Sequence, residues 1–331
     1  MNLKEPMGNT AAFQDVLRQG VKILRRQTVW IALGLIILTM SLISESFFTS
    51  DNILNVLRQV TIAGLVSLGM TVVLIGGNFD LSVGAIVTLA AVVSVNLQPV
   101  TPFQTFLAIA VPLLLGILIG VLNGLIIGVL KANSIIVTVG TQFVVLGATL
   151  IYIGGQHVWV WNPSAFYENI SGGYFLGIPN PVYIFVALTL LTHLLMTKTP
   201  FGRFVFAIGN NDEASRLSGI STNMTRMMTF VFSGFTAAVA GIVLASRVKN
   251  LDPTAGIGYE FIALTAVILG GTKTTGGEGN VLNTLAGVLI LGVIANSMTL
   301  LNISFNMQLL IRGMILLTAV ALDARNQRMA K

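Results

Sequence analysis

Long apolar stretches separated by short polar segments recur along the chain from residue 29 onward. They lie at 29–43, 60–75, 83–96, 106–129, 135–152, 182–196, 227–245, 261–269, 282–300 and 308–321. A helix needs about 20 apolar residues to cross the hydrocarbon core of a bilayer, so the pattern predicts an all-α bundle with about ten transmembrane helices. The segments 83–96 and 261–269 are short and each adjoins a glycine pair. At membrane depth, such segments are tolerated only where they line protein or a water-filled path.

The composition supports this interpretation. Of the 331 residues, 54% are hydrophobic and 9% are charged, whereas about 25% are charged in an ordinary soluble domain. So little charge excludes a soluble enzyme, a nucleic-acid-binding domain and a disordered scaffold. The chain has no cysteine, which excludes disulfide bonds, thiolate metal sites and a cysteine nucleophile. The sequence therefore predicts a polytopic membrane protein.

The distribution of basic residues predicts the orientation. If the N-terminus is cytoplasmic, the opposite side holds only four of the 18 lysines and arginines, namely Arg58, Arg247, Lys249 and Arg312. Cytoplasmic loops are enriched in lysine and arginine, so both termini are expected in the cytoplasm. The chain then divides into a basic N-terminal segment (1–27), a single transmembrane domain (28–325) and a cytoplasmic tail (326–331).

The N-terminal segment carries apolar residues at helical spacing between residues 13 and 24. This pattern is typical of a short amphipathic helix on the membrane surface. A basic topogenic tail explains the same segment equally well.

Two predicted loops are long. The external loop, 153–181, contains Trp159, Trp161, Tyr167 and Tyr174. These aromatic residues fit an interfacial belt or, as the second alternative, a docking surface for an external partner.

The cytoplasmic loop, 197–226, contains the pattern of a two-turn helix. Asn211 suits the N-cap, Asp212 and Glu213 suit the positive helix N-terminus, and Gly219 suits the stop. A charged helix in this position could dock into another protein, or it could be a solvated loop helix.

A second glycine pattern lies within 106–129. Gly116, Gly120, Gly124 and Gly128 recur every four residues, which leaves one helix face as bare backbone and favours close packing against a neighbouring helix. Asn123 lies beside this stripe and could form a hydrogen bond across it. Helix packing is the expected role of this segment, and contact with the transported solute is the alternative.

One carboxylate lies between two apolar segments, in the sequence GGNFDLSVG at 76–84. A charge at bilayer depth costs about 3 kcal/mol, so Asp80 is expected to be paired, capping or solvated. With Asn78 it is placed to cap a helix that begins near Leu81. Direct contact with a solute is the alternative.

Other chemistry has little support in the sequence. The glycine-rich stretch 256–279 lacks the Gly-Lys-Ser/Thr order of a phosphate-binding loop, so any ATP is expected on another subunit. His157 and His193 form no zinc motif. Ion-coupled carriers usually bury several carboxylates or histidines, whereas this chain offers Glu260 and Asp80.

Several motifs together resemble one family, the ABC-transporter permeases of the ribose/xylose/arabinose/galactose class. The resemblance extends over about residues 28–325. The segments that carry it are FFT at 47–49, NILNVL at 52–57, GMTVVLI at 69–75, DLSVG at 80–84, TPFGR at 199–203, ASRLSGI at 214–220 and AVILGGT at 266–272.

The resemblance implies a monosaccharide importer subunit in the bacterial inner membrane, with the vitamin-B12-type (type II-like) permease fold. It implies a second permease copy, identical or paralogous, a cytoplasmic ABC ATPase that carries ATP and Mg²⁺, and an extracytoplasmic sugar-binding protein. No cofactor is expected on this chain. An ion-coupled sugar carrier that acts without an ATPase is the alternative function, and a membrane-embedded enzyme finds no catalytic cluster.

The resemblance and the local patterns together give the candidate site residues. The ATPase-coupling helix is expected to comprise Asn211, Asp212, Glu213, Arg216, Leu217, Ser218 and Gly219. Candidates for the pathway or its gate are Asn78, Asp80, Ser82, Asn123, Glu260 and Thr265. The chain departs from the family pattern at Asn78–Phe79 before Asp80, and at Ile262, where the family usually has an acid.

Overall fold

The computed structural model describes residues 28–248 and 250–329, with side chains as far as residue 325. The segment 1–27, with its two alternative interpretations, lies outside the described residues.

The described part of the chain is almost entirely helical. Its helices are α1 (Thr28–Ile43), α2 (Ser50–Ile75), α3 (Val83–Asn96), α4 (Pro102–Val129), α5 (Ser134–Ile153), α6 (Ala165–Ser171), α7 (Asn180–Lys198), α8 (Pro200–Asn210), α9 (Asp212–Leu217), α10 (Thr222–Arg247), α11 (Tyr259–Leu269), α12 (Val281–Leu300) and α13 (Phe305–Met329). Four two-residue strands are β1 (Val158–Trp159), β2 (Tyr174–Phe175), β3 (Ile178–Pro179) and β4 (Asn250–Leu251). The helical fold class predicted from the apolar pattern is confirmed.

Seven of these helices are long and apolar enough to cross a membrane, namely α2, α4, α5, α7, α10, α12 and α13. Three shorter apolar helices, α1, α3 and α11, account for the remaining predicted segments. The bounds of α3 agree with the predicted segment 83–96. By contrast, α2 begins ten residues before the apolar stretch, and α13 continues to Met329.

Helices α2, α3 and α10 form the centre of the bundle, and α10 packs against α2, α3 and α4. Nearly every residue of α2 from Val60 to Ile75 is buried, as are most residues of α3. Helices that are apolar on all faces are expected in such an interior. In α5 and α13 most apolar side chains are exposed, as expected of helices that face lipid.

The glycine stripe of α4 lies directly against α10. A Cβ atom at Gly116 would stand 2.5 Å from the carbonyl oxygen of Gly234, and one at Gly124 would stand 2.6 Å from the Cα of Met227. Gly120 and Gly128 likewise face the α10 backbone, at Phe230 and Asn223. The two helices therefore approach backbone to backbone along four turns of α4.

The external loop 153–181 is partly ordered by hydrogen bonds to its surroundings. Strand β1 pairs with β4 and β2 pairs with β3, both antiparallel. Trp159 and Trp161 are exposed, but Tyr167 is buried and its hydroxyl lies 2.7 Å from Ser94 Oγ of α3. The prediction of an interfacial aromatic belt is therefore wrong for Tyr167, because this side chain is buried and anchors α6 to the bundle.

Helix α11 begins inside the bundle because a glycine-containing segment precedes it. The amide of Gly256 donates to Thr88 Oγ1 of α3 at 3.0 Å. A Cβ atom at Gly256 would stand 2.6 Å from the Thr88 amide nitrogen. Only glycine allows this backbone to lie against α3. The chain between β4 and α11 thus enters beside α3 before the short helix begins.

Candidate functional site

The first cluster of polar side chains surrounds Asp80. This carboxylate is fully buried between α2 and α3. Its Oδ1 atom accepts hydrogen bonds from the Ser82 amide at 3.1 Å and from Ser82 Oγ at 2.5 Å. The Oδ2 atom lies near the Ser233 hydroxyl of α10, but neither atom has a hydrogen-bond partner among the described residues. One carboxylate oxygen of Asp80 therefore accepts hydrogen bonds, and the other accepts none from the described residues.

Asn123 extends this cluster across three helices. Its Nδ2 donates to Ser82 Oγ at 2.9 Å, and its Oδ1 accepts from Thr141 Oγ1 of α5 at 2.6 Å. Since Asn123 is fully buried, both ends of its amide need partners. The network from Asp80 to Thr141 joins the start of α3 to α4 and α5.

The predicted cap of α3 is wrong in two details. The helix begins at Val83 rather than near Leu81. Asn78 donates to the carbonyl of Gly76 at 2.9 Å and accepts nothing from α3. The Leu81 amide instead donates to Thr138 Oγ1 at 3.0 Å. Hydroxyls of α5, distant in sequence, thus satisfy amides that the local pattern assigned to Asn78.

Glu260 is the second buried carboxylate of the candidate set. Its Oε1 accepts from Gln142 Nε2 at 3.2 Å, and its Oε2 accepts from the Gly258 amide at 2.9 Å. Gly84 of α3 lies in contact with this carboxylate and has no side chain to displace it. Gln142 follows Thr141, so consecutive residues of α5 contact the Asp80 cluster and Glu260.

Thr265 lies apart from both carboxylates. Its hydroxyl donates to the Phe261 carbonyl at 2.6 Å, and the residue lines a separate cavity between α2, α11, α12 and α13. Ile262 lines the same cavity. Of the six candidates, the structure brings Asp80, Ser82 and Asn123 together, links Glu260 to them through α5, and leaves Asn78 and Thr265 separate.

The cytoplasmic candidate is helix α9. Asn211 Oδ1 accepts from the Ala214 amide at 2.9 Å, and Gly219 ends the helix with φ of +82°, as the sequence predicts. Glu213 and Arg216 form an exposed ion pair at 2.5 Å. Hydrogen bonding and the positive charge of Arg216 lower the pKa of Glu213, so this carboxylate is ionised at neutral pH.

Asp212 has a different role from Glu213, because it anchors α9 to the bundle. Its Oδ1 lies 2.8 Å from Nη2 of Arg226 on α10. The Arg226 side chain is only 13% exposed, which makes this ion pair less accessible to water than the one on α9. Of these two neighbouring acids, Asp212 therefore anchors α9 to the bundle, whereas Glu213 is exposed on the surface of α9.

Helix α8, which precedes α9, contacts the ends of the buried helices. Asn210 Nδ2 donates to the Gly277 carbonyl at 3.2 Å, and the Gly277 amide donates to the Ile75 carbonyl at 2.8 Å. Gly209 packs against both segments, with no room for a Cβ atom. A displacement of α9 would therefore be transmitted through α8 to the end of α2 and to the loop between α11 and α12.

Within residues 28–248 and 250–329, no group of three or more His, Asp and Glu side chains is placed to hold a metal ion. The lysine of the glycine-rich segment, Lys273, forms an ion pair with Glu278. The described geometry thus presents two features that suit transport: a polar network inside the bundle and a charged helix on its surface.

Comparison with known proteins identifies the class. Residues 52–320 match the family described as the permease component of branched-chain amino acid transport systems. Because the match spans most of the chain, this protein belongs to that family of transport permeases. It is a transport subunit and a multi-pass protein of the bacterial inner membrane. No solved structure matches it significantly.

Individual relatives are permeases of sugar import systems. The chain is 36% identical over 304 residues to the ribose import permease RbsC of Haemophilus influenzae, covering 91% of this chain and 94% of the relative. It is 39% identical to RbsC of Bacillus subtilis, with 89% and 92% covered. It is 37% identical to the L-arabinose permease AraH of Escherichia coli, with 86% and 85% covered. The resemblance stated from the sequence motifs is confirmed.

The two oxygens of Asp80 lead to a prediction with two variants. Asp80→Ala removes both hydrogen bonds accepted from Ser82 and leaves a buried amide unsatisfied, at a cost of about 1–3 kcal/mol. Asp80→Asn retains the accepting Oδ1 but removes the charge. We expect a lower unfolding midpoint in detergent for Asp80→Ala, and wild-type stability with impaired uptake for Asp80→Asn. Equal midpoints for wild type and Asp80→Ala would show that these hydrogen bonds contribute nothing.

Proposed function

We propose that this chain is the membrane-spanning permease subunit of a binding-protein-dependent ABC importer that carries a monosaccharide or a related small polar solute into the cell. The observation that supports it most strongly is the similarity to ribose and arabinose permeases over about nine-tenths of the chain. ATP and Mg²⁺ bind to a separate ATPase subunit, and this chain binds no cofactor. Helix α9, which is charged and exposed on the surface proposed to be cytoplasmic, agrees with ATP binding on a separate subunit.

The proposed topology has ten crossings and both termini in the cytoplasm, in the type II-like architecture. Ten apolar helices support the count, seven of them long enough to span by themselves. The distribution of lysine and arginine supports the orientation. In this arrangement α3 and α11 are short because glycine-containing segments carry the chain part of the way through the bundle.

The proposed coupling element is α9 with its flanking residues, Asn211 to Gly219. Asp212 holds it against α10, while Glu213, Arg216 and Leu217 are exposed to a partner. When ATP binding closes the ATPase subunits, their motion pulls on α9 and, through α8, on the end of α2. The bundle then alternates between outward and inward access.

The proposed pathway uses the polar groups that the bundle buries. Asp80, Ser82, Asn123 and Glu260 supply hydrogen-bonding groups or gate contacts, with Asn78 and Thr265 at separate positions. Such a path needs only transient contacts, because an extracytoplasmic binding protein selects the solute. A second permease copy, identical or paralogous, completes the path.

Energy coupling is the direct test of this function. Cells that express the complete importer should still take up labelled sugar after a protonophore collapses the ion gradient. Uptake should stop when arsenate depletes ATP. The ion-coupled alternative predicts the reverse, with uptake lost on collapse of the gradient and retained without an ATPase partner.

Because the chain lacks cysteine, its topology can be tested with single-cysteine variants. Ser304 lies between α12 and α13, Ser221 precedes α10, and both are exposed. We expect a membrane-impermeant maleimide added to intact spheroplasts to label Ser304→Cys but not Ser221→Cys. Lysis should then expose Ser221→Cys. Labelling of Ser221→Cys before lysis would reverse the orientation.

A further inference from the structure

Three arginines, called here the arginine cluster, stand near the ends of helices predicted to face outward. They are Arg58 on α2, Arg247 at the end of α10 and Arg312 on α13. None of them forms an ion pair or a hydrogen bond with another residue that the structure describes. Ionisable side chains within transmembrane segments are costly and usually functional. Arg58 and Arg312 lie within helices and are half-buried, so their lack of a carboxylate partner among the described residues needs an explanation.

The arginines are near one another. Arg58 stacks on the ring of Tyr174, with 4.9 Å between its guanidinium carbon and the ring centroid. Its Nε and Nη2 atoms are buried. The charge of Arg247 acts on Arg58, and the charges of Arg247 and Arg312 act on the Tyr259 hydroxyl. Arg247 is thus near Arg58 on one side, and both Arg247 and Arg312 are near Tyr259 on the other.

One member of the cluster lines a cavity. Between α2, α11, α12 and α13 there is a space of about 610 Å³, which is within the range of small-molecule sites. Arg312 is the one charged residue of its described lining, and no acidic residue lines it. Gln59, Tyr259 and Thr265 add polar groups to walls that are otherwise apolar. The cavity therefore combines one positive charge with a few hydrogen-bonding groups.

We propose that this cavity binds the acidic group of a small solute, a carboxylate or a phosphate, through the guanidinium of Arg312. Arginine matches both groups with paired, charge-assisted hydrogen bonds. Arg58, which precedes the lining residue Gln59, and Arg247 are not part of the lining, and their positive charges raise the local concentration of anions near the cavity. The inference rests on the proposed import function and narrows its substrate to acidic sugars, such as sugar acids or sugar phosphates.

Burial favours a small solute over a protein partner. The unpartnered nitrogens of Arg58 are inside the bundle and Arg312 is half-buried in the lining of the cavity, whereas only Arg247 of the cluster is exposed. A docked protein would instead pair its surface carboxylates with exposed arginines. A lipid headgroup shares the chemistry of a phosphate, and the experiment below distinguishes it from a solute.

The test is calorimetric titration of the full-length protein in nanodiscs of neutral phosphatidylcholine. D-ribonate and ribitol are the probes, because both are open chains and they differ only at C1, which is a carboxylate in one and an alcohol in the other. We expect ribonate to bind at least about tenfold more tightly than ribitol, as a charged hydrogen bond contributes this much. Arg312→Gln should weaken ribonate binding by about tenfold or more, and Arg312→Lys by less. Arg203→Gln, at an exposed arginine of α8, is the matched control and should bind normally.

Equal affinity for the two probes, or wild-type ribonate affinity in Arg312→Gln, would overturn the proposal. Unchanged ribonate affinity in nanodiscs that contain phosphatidylglycerol would support it, whereas displacement of ribonate by this lipid would assign the cavity to headgroups and contradict it. A different result would contradict the proposed function, namely uptake that no ATPase drives. ATP-driven uptake of ribose without ribonate binding would retain the function and reject only this inference.

Discussion

Glu213→Lys is expected to abolish ATP-driven uptake while the protein remains folded and inserted. Glu213 is exposed on α9, and its carboxylate contacts only Arg216 of the same helix among the described residues. Surface ion pairs of this kind contribute little to stability, so the substitution should leave the bundle intact. In the proposed complex, a lysine here reverses the charge that α9 presents to the ATPase. Uptake by the assembled importer and the unfolding midpoint of the purified chain are the two measurements.

A charge swap separates the contact with a partner from the local ion pair. The double variant Glu213→Arg with Arg216→Glu restores the pair on α9 but keeps the reversed pattern of charge. If partner recognition is the role of Glu213, the double variant should remain inactive. Recovery of uptake in the double variant would show that the pair within α9 is what matters, and normal uptake by Glu213→Lys would reject the coupling assignment.

Asp212→Lys should also abolish uptake, but for a different reason. It replaces the ion pair with Arg226 by two positive charges at close range, which detaches α9 from α10. We therefore expect greater protease sensitivity around α9 for Asp212→Lys than for Glu213→Lys. Equal protease sensitivity in both variants would contradict the claim that Asp212 anchors α9 while Glu213 is only exposed on its surface.

Gly234→Leu is expected to prevent assembly of the bundle. Gly234 of α10 lies against Gly116 of α4, and a Cβ atom there would stand 2.9 Å from the Gly116 carbonyl carbon. Rigid backbone cannot yield to a larger side chain, and overpacking of this kind costs about 1–3 kcal/mol or more. The variant should reach the membrane but elute as an aggregate from size-exclusion chromatography in mild detergent.

The control for this prediction is Gly147→Leu on α5. A Cβ atom at Gly147 would meet no other atom within 4 Å, so the same substitution should be tolerated there. Since both glycines are within long apolar helices, differences in helix propensity cancel. A monodisperse Gly234→Leu protein would show that close contact between α4 and α10 is dispensable.

The sequence predicted the apolar helices well and their polar ends poorly. Segment 83–96 became α3 without change because turns flank it on both sides. Helix α2 was predicted too short, since Asn52, Arg58 and Gln59 lower the hydropathy of its first turns. The helix continues there because Asn52 and Asn296 of α12 exchange hydrogen bonds at 3.1 and 2.7 Å. Hydropathy detects an apolar environment, whether lipid or the interior of the bundle, rather than the end of a helix.

The sequence predicted the carboxylates of the candidate site but not the residues of α5 around them. Asp80 and Glu260 were identified because carboxylates are rare in apolar segments. The residues of α5 that complete this region are distant in sequence and have ordinary polar side chains: Ser134 and Thr138 accept from the amides of Phe79 and Leu81, and Gln142 donates to Glu260. A signal did exist, because positions 134, 138, 141 and 142 recur at helical spacing and predict one polar face on α5. The bonds between particular residues depend on how the helices pack, which the pattern of one helix does not contain.

The cytoplasmic loop shows the same limit. The caps of α9 follow from local chemistry at Asn211 and Gly219 and could be predicted. Helix α8 was missed, because its apolar residues were too few for a span. Its contacts with Ile75 and Gly277 arise only when three glycine-containing segments meet, and these are separated by more than 60 residues in sequence.

The most direct test of the central claim is the composition of the complex in the native membrane. The tagged protein should be purified in mild detergent and its associated chains identified by mass spectrometry, for the wild type and for Glu213→Lys. We predict a stoichiometric ABC ATPase with the wild type and its loss with Glu213→Lys. Recovery of the protein without an ATPase, together with uptake that stops when the ion gradient collapses, would contradict the importer and favour an ion-coupled carrier.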